Sequence, residues 1–429
     1  MIGSRLDGAR MRATPLRVIL VSCTIGVVAA SFNGTISTAL AAPAQGLSSS
    51  STPASAGVPS TSSGSSGSVL RRFTPLYMGG NAKFTQAQAD AIAHQFDGIA
   101  AKSGVFTPYV SSMKAANPAL KIVAYMNGAF DQSAKGTSYP ASWYAHDSRG
   151  NRIQSVQFHN WLMDPTTSQW GATLAKQCSA LITQSKYDGC FLDTLGLGPL
   201  LPGYVTGLPV DPRTHKVFSN STWINAQAAN VSTVIKANPA ATTIPNGLAD
   251  GSKYFGGPTE PLLAAAHLAM SEIWLRVSRN SVNSWPSTTT WKQDVDELVN
   301  AESHGWGALV VTKLWTNATA AQQDAWHKFT VASFLLGAGG HCEYSFSTAQ
   351  TPGALSTTSS IDTSSVGSPT GPYSLRNGAY QRPFSNGTVV VNPGSHSVNI
   401  TFAKSYRSLD GSTVSSETLP PHSGDVLVG

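Results

Sequence analysis

Charge is scarce in this chain: Asp, Glu, Lys and Arg make up 12% of its 429 residues, against 41% that are hydrophobic. That composition buries a sizeable core and fits neither a disordered nor a supercharged polypeptide. Basic clusters are missing as well. Lys and Arg number 28 against 22 Asp and Glu, but Arg5, Arg10, Arg12, Arg17 and Asp7 all fall in the first 31 residues, leaving 24 against 21 elsewhere. Beyond them nothing is denser than the pair Arg71-Arg72, which excludes a phosphate-tracking surface and nucleic acid as partner. Cysteine is rare, and no C-x-x-C or H-x-x-x-H spacing occurs, so no metal site is expected. G-x-S-x-G, P-loop, H-E-x-x-H and G-x-G-x-x-G motifs are absent too, and no cofactor is called for. Long apolar runs are lacking: the longest, residues 18–30, is about 13 residues, short of the roughly 20 that cross a bilayer as a helix.

The chain opens instead with the pattern of a secretory signal peptide over residues 1–41. Its basic residues precede that apolar run, and Ala39-Leu40-Ala41 forms an A-x-A cleavage site. Leu20-Val21-Ser22-Cys23 has the form of a lipoprotein box, but apolar residues continue past Cys23, which speaks against lipidation. Residues 42–70 are rich in Ser, Gly, Pro, Ala and Thr and carry no charge, the composition of a flexible tether. Folded structure is expected to begin near Arg71, and the mature chain is expected to be secreted or held at the cell surface, as a monomer, without stable membrane insertion. In an oxidising compartment Cys178 and Cys190 are the disulfide candidates, with Cys342 left over.

From Arg71 onward, short β-rich runs alternate with helix-like stretches. Eight strands are expected at 73–78, 98–101, 121–126, 189–193, 242–246, 267–274, 308–314 and 341–346. Helices are expected at 85–95, 108–116, 166–185, 222–237, 260–266, 292–304 and 320–336. Asp164, ahead of Pro165, is placed to cap the third of these helices. Such alternation means a mainly parallel sheet, and eight units in about 280 residues is the size of a (β/α)₈ barrel. A doubly wound open sheet would alternate in the same way, but without its dinucleotide fingerprint the barrel is the better reading. After a Ser/Thr/Gly/Pro-rich linker over 351–371, the runs 387–391, 398–402, 406–409 and 426–428 predict a small antiparallel β-sandwich. The predicted architecture is therefore an α/β fold, with a (β/α)₈ TIM barrel over 71–350 followed by a C-terminal β domain over 372–429.

In such a barrel, chemistry sits where strands end. Asp193 closes the fourth strand, Gly189-Cys190-Phe191-Leu192-Asp193, and the next helix is too distant for it to cap. Glu272 interrupts the sixth strand, where an unpaired buried carboxylate would be costly. Lys313 on the seventh strand is its possible partner. Two carboxylates at a barrel mouth are what hydrolysis of a glycosidic bond requires: one protonates the leaving oxygen, and the other attacks the anomeric carbon or activates water. Candidate substrate contacts are Tyr125, Asn127, Trp161, Asn246, Trp274, Lys313 and Glu343, with Asp131, Asp250 and His341 as lesser candidates. Indole and phenol faces among the 10 Trp and 12 Tyr suit the apolar faces of sugars.

The run Tyr187-Asp188-Gly189-Cys190-Phe191-Leu192-Asp193 resembles the fourth strand of secreted (β/α)₈ glycoside hydrolases related to the α-amylase, α-galactosidase and endo-α-polygalactosaminidase barrels. Leu162-Met163-Asp164-Pro165 resembles the segment before the preceding helix in those proteins. The tail, with Tyr380–Gly387, Val391-Asn392-Pro393, Leu409-Asp410-Gly411 and Leu419–Gly424, is similar to the β domain that closes many of them. The resemblance covers about residues 71–429. It implies that Asp193 is the nucleophile and Glu272 the acid/base, and that the substrate is a polysaccharide or cell-surface glycan. Asn246 and Lys313 depart from the acids of the amylase pattern and speak against starch. Two other readings stay open: a carbohydrate-binding protein on a degenerate barrel, and a surface scaffold. Convergence of Asp193 and Glu272 across a cleft favours the enzyme, whereas Glu272 locked onto Lys313 favours the scaffold. Burial and the charge of Asp193 are expected to raise the pKa of Glu272.

Overall fold

Eight short parallel strands lie side by side: β1 (Arg71–Pro75), β2 (Gly98–Ala101), β3 (Lys121–Asn127), β4 (Gly189–Asp193), β5 (Thr242–Pro245), β6 (Leu268–Ser271), β7 (Gly307–Lys313) and β8 (Glu343–Ser347). In this computed structural model, residues 69–76, 82–349, 353–363, 365–409 and 411–429 are described. The expected signal peptide, nearly all of the tether, Tyr77 and Met78 of the first expected strand, and Asp410 lie outside the described residues. The strand order is β6-β7-β8-β1-β2-β3-β4-β5. The remaining seam, between β5 and β6, is joined by a parallel bridge between Asn246 and Met270, and the Leu248 amide donates to the Met270 carbonyl at 3.1 Å. The sheet is thus a ring, as the alternation predicts.

Such strands are covered on both faces and so read as unbroken apolar runs. Phe73, Val123, Phe191, Ile244, Met270 and Leu309 fill the lumen. The outer faces pack against α1 (Gln86–Gln95), α2 (Val110–Ala116), α3 (Ser168–Ser185), α4 (Asn220–Ala237), α5 (Gly251–Gly256), α6 (Glu260–Ala266), α7 (Thr288–Ser303) and α8 (Ala320–Gly337). Most helix starts are written in side chains. Thr85 with Gln88, and Thr319 with Gln322, form capping boxes, and Ser219 and Ser287 cap α4 and α7. The Ser287 cap starts α7 at Thr288, ahead of the expected Lys292. Asp164 does not cap α3: its Oδ1 accepts from the Thr166 amide and hydroxyl at 2.8 and 2.7 Å, closing a turn before the helix. Cys178 and Cys190 are bonded as expected, with Cα atoms 5.8 Å apart, tying α3 to β4, and Cys342 is a buried free thiol.

The C-terminal segment adds β9 (Ser374–Arg376), β10 (Ala379–Phe384), β11 (Gly387–Asn392), β12 (Val398–Arg407), β13 (Thr413–Leu419) and β14 (Ser423–Val428). They form an antiparallel sheet in the order β9-β10-β11-β14-β12-β13. The expected strand at 406–409 proves to be the end of the long β12. The polar, mostly exposed run of β13, TVSSETL, carries no hydrophobic alternation by which to expect it. Val389, Val391 and Val426 share a core with Phe329 and Phe334 of α8, and Arg382 donates to the Leu335 carbonyl at 2.9 Å.

Packing already begins at Val69 and Leu70, each 6% exposed, two residues ahead of the expected start. A chain beginning at Arg71 should therefore melt several degrees below one beginning at Ser68, since each buried aliphatic side chain contributes about 1.5–3 kcal/mol. Equal midpoints in differential scanning calorimetry would show those contacts to be idle.

Several carboxyls are buried in the folded chain. Burial raises Asp294 to about 8 and Glu343 to about 7, and pushes Glu297 well up. These groups bind protons that the unfolded chain releases at lower pH, so stability is fullest in mild acid and falls as pH climbs through their folded values. His422, held low by burial, opposes this with a single proton. The melting temperature should fall between about pH 5.5 and 8.5; a flat or rising profile would contradict it.

Candidate active site

The fourth-strand motif divides its labour. Asp188 accepts from the Ile122 amide at 2.7 Å and pairs with Lys114 at 2.7 Å, which pins β3 to β4. At Gly189 a Cβ would lie 1.8 Å from the Thr242 carbonyl oxygen, so only glycine lets β5 come alongside. These two residues hold the sheet together, and Asp193 emerges at the C-terminal mouth. Immediately after it, Thr194 sits at φ 68°, a costly conformation for a β-branched residue, with its hydroxyl accepting from Asn127 Nδ2 at 3.1 Å.

Asn246 follows β5 and is 5% exposed. Its Nδ2 donates both to Asp193 Oδ1 at 2.8 Å and to Glu272 Oε2 at 2.9 Å. The hydrogens of a planar amide diverge by about 120°, so the two acceptor oxygens stand roughly 5 Å apart. The other oxygen of Asp193 accepts from the Tyr125 hydroxyl at 2.9 Å. Lys313 Nζ, 6% exposed at its side chain, pairs with Glu272 Oε1 and lies 4.7 Å from the Trp315 ring centroid. The carboxylates converge, and Glu272 is at the same time held by Lys313.

The electrostatics reverse the expectation for Glu272. Desolvation pushes its pKa up, but the charge and hydrogen bond of Lys313, with the amide of Asn246, outweigh it and hold the carboxyl low. Asp193 goes the other way: burial and then the charge of Glu272 raise it, against the bonds from Asn246 and Tyr125. The two carboxyls are thus pushed in opposite directions, Glu272 toward its charged form and Asp193 toward its neutral one.

Tyr125, Asn246 and Lys313 all contact the pair. Asn127 lies beside it but is occupied, accepting from the Ala129 and Phe130 amides at 3.0 and 2.7 Å. Trp161 lies half-buried on a short ribbon with Phe130–Asp131, and the Arg152 guanidinium sits 4.7 Å from its ring centroid. Two expectations need correction. Trp274 is no substrate contact: β6 ends at Ser271, and the indole is fully buried with its N–H donated to the Asp294 carbonyl at 2.9 Å. Glu343 begins β8 rather than ending it, so it lies at the opposite end of the barrel, paired with Arg71 at 2.7 Å beside a cavity of about 190 Å³. Among the lesser candidates, Asp131 is tied to Tyr144 and Ser133, Asp250 caps α5, and His341 is bound to Glu302. Sequence reasoning missed Tyr204. Its proton affinity is raised by burial and then by the charges of Asp193 and Glu272, yet it stands in a Gly/Pro loop without periodicity.

A closed parallel (β/α)₈ ring with acidic side chains converging at its C-terminal mouth is the architecture of a glycoside hydrolase barrel. The chain belongs to hypothetical glycosyl hydrolase family 15 (GHL15), whose model matches residues 114–388. Among solved structures it is similar to the glycoside hydrolase domain of PelA from Pseudomonas aeruginosa, at 16% identity over 65% of this chain and 94% of that one, TM-score 0.41. It is also similar to Eubacterium rectale Amy13B, at 8% identity over 84% and 95% of the two chains, TM-score 0.48. An Anoxybacillus alpha-amylase aligns at 10% identity over 84% and 96%, TM-score 0.44. No curated protein matches the chain.

Asn246→Asp tests the bridging geometry without any substrate. A third carboxyl between two others must take up a proton, so the variant should lose more thermal stability relative to the parent at about pH 7.5 than at about pH 5. An equal loss at both would mean that position 246 does not lie between Asp193 and Glu272.

Proposed function

We propose that the protein is a secreted glycoside hydrolase that cleaves a polysaccharide or cell-surface glycan by a retaining mechanism, with Asp193 as nucleophile and Glu272 as acid/base. The observation that carries this is the single amide of Asn246 holding one oxygen of each carboxylate. A separation near 5 Å is that of retaining enzymes, whereas inverting ones leave room for a water between the groups. Asp193 is held through both oxygens, as a group that must attack one atom needs to be. Glu272, with its side chain 35% exposed, faces the space through which a leaving oxygen departs and a water arrives. Export is supported by the leader pattern and by the Cys178–Cys190 disulfide, which suits an oxidising compartment. The barrel over 71–350 and the β domain over 372–429 act together in this reading, as a monomer.

In the first step an Asp193 oxygen attacks the anomeric carbon, the glycosidic C–O bond breaks, and the leaving oxygen takes the proton of Glu272. In the second, the Glu272 carboxylate removes a proton from water as its oxygen displaces Asp193 from the sugar. The first step needs the proton on Glu272 and Asp193 ionised, and Lys313, which holds the Glu272 carboxyl low, opposes that protonation. One observation favours the scaffold alternative: the Lys313–Glu272 ion pair itself. Failure to bind or cleave any glycan would establish it.

The experiment is a polysaccharide panel with detection of new reducing ends, followed by aryl glycosides of the sugar found. Asp193→Asn should lower kcat at least roughly a thousandfold on every substrate. Glu272→Gln should harm poor leaving groups most, because an activated aryl group needs little protonation. Lys313→Met should raise the pKa of Glu272 and move the basic limb of kcat/KM upward; an unmoved limb would take Glu272 out of the acid role.

A further inference from the structure

Resting on the reading above, we infer that the rim formed by Val156, Phe158, Leu201 and Tyr204 is a platform for further units of an uncharged glycan chain, which makes a neutral polymer the substrate. Of the nine large hydrophobic residues exposed among those described, five lie on the loops after β3 and β4. Four of the five are contiguous: the Val156 amide donates to the Tyr204 carbonyl at 3.0 Å, Ser155 bridges Val205, the Phe158 amide donates to Ser155 Oγ at 3.0 Å, and the Tyr204 amide donates to the Leu201 carbonyl at 3.2 Å. Exposure is high, at 66% for Phe158, 52% for Leu201, 48% for Val156 and 39% for Tyr204.

The geometry of Tyr204 fits a stacking surface. A Cβ on Gly198 would lie 3.2, 3.4 and 3.5 Å from three neighbouring ring carbons, so the bare backbone there lets the hydroxyl end of the ring lie against the chain while the residue as a whole stays 39% exposed. The loop carrying Leu201 and Tyr204 starts at Asp193, at the mouth, and the phenol feels the charges of both Asp193 and Glu272. An exposed apolar patch beside a site marks a ligand surface, and aromatic rings supply it at little entropic cost. Residues 154–160 (QSVQFHN) and 199–209 (PLLPGYVTGLP) contain no Asp, Glu, Lys or Arg. Apart from the exposed His159 these two runs hold no side chain that would pair with a uronate, and none that would pair with an amino sugar, whereas the C–H faces of neutral pyranose rings match the platform.

Binding is read in the Asp193→Asn chain, so that no polymer is consumed, by affinity electrophoresis in neutral, anionic and cationic polysaccharides. The wild-type surface should be retarded by a neutral polymer, and Phe158→Ala with Tyr204→Ala should weaken that binding roughly tenfold or more. Leu375→Ala, an exposed residue on β9, should not. In the Asp193 enzyme, the same pair should lower kcat/KM on the polymer relative to a single-sugar aryl glycoside by a similar factor. Unaltered affinity and ratio in the double variant, no polymer bound, or preference for a charged polymer overturns the inference. Cleavage with unaltered polymer affinity leaves the hydrolase reading standing and removes the platform. Binding that depends on Phe158 and Tyr204 without cleavage of any glycoside keeps the platform and removes the hydrolase.

Discussion

The closing seam of the barrel governs what the rest can do. An eight-stranded parallel sheet becomes a ring only when its last two strands meet, and here β5 and β6 meet through the backbone at Asn246 and Met270. The residue that closes the ring also spends its side chain on both carboxylates at the mouth. Ring geometry and carboxylate separation are therefore one constraint: a shift in register at the seam would move Asp193 and Glu272 relative to each other. The backbone contact of Gly196 with Gly247, where a Cβ on Gly196 would lie 2.4 Å from the Gly247 oxygen, locks the neighbouring loops to the same seam.

Around this seam the charges are arranged unequally. Lys313 reaches Glu272 from β7, while Asp193 receives neutral donors, from Tyr125, Asn246 and the Thr194 amide. One carboxyl is pushed toward its charged form and its neighbour toward its neutral one, which is how two acids share a confined mouth. Arg276 supports the arrangement from behind. Its Nε donates to the Lys313 carbonyl at 3.1 Å and its guanidinium lies 4.7 Å from the Trp326 ring centroid, linking the turn after β6 to β7 and α8.

Much of this was legible in sequence because barrel strands are short, apolar and buried on both faces. Asp193 stood out as a carboxylate ending such a run. The errors share a physical origin, since composition does not mark where along a run the hydrogen-bonded strand lies. The run 267–274 reads as one strand that Glu272 merely interrupts, yet the chain turns after Ser271, where Asp294 in the middle of α7 receives the Leu275 amide at 3.1 Å and Leu275 takes φ 62°. Glu343 lies on the expected strand but opens it, away from the mouth where a substrate contact is needed, and the run 341–346 does not say which of its residues pairs first. The protonation of Glu272 depended on weighing burial against one lysine, which takes a distance to decide. Tyr204 is a loop residue, and loops carry no period.

The ring also has a history. β1 pairs with β8 through Arg71 and Glu343, so the barrel closes only after the chain through Ser347 is present, and contacts of such sequence separation form slowly. The Cys178–Cys190 bond spans a sequence separation of 12 and needs neither end of the barrel. The bond therefore fastens α3 to β4, the strand that ends in Asp193, by a short local link that does not depend on the long-range closure of the ring.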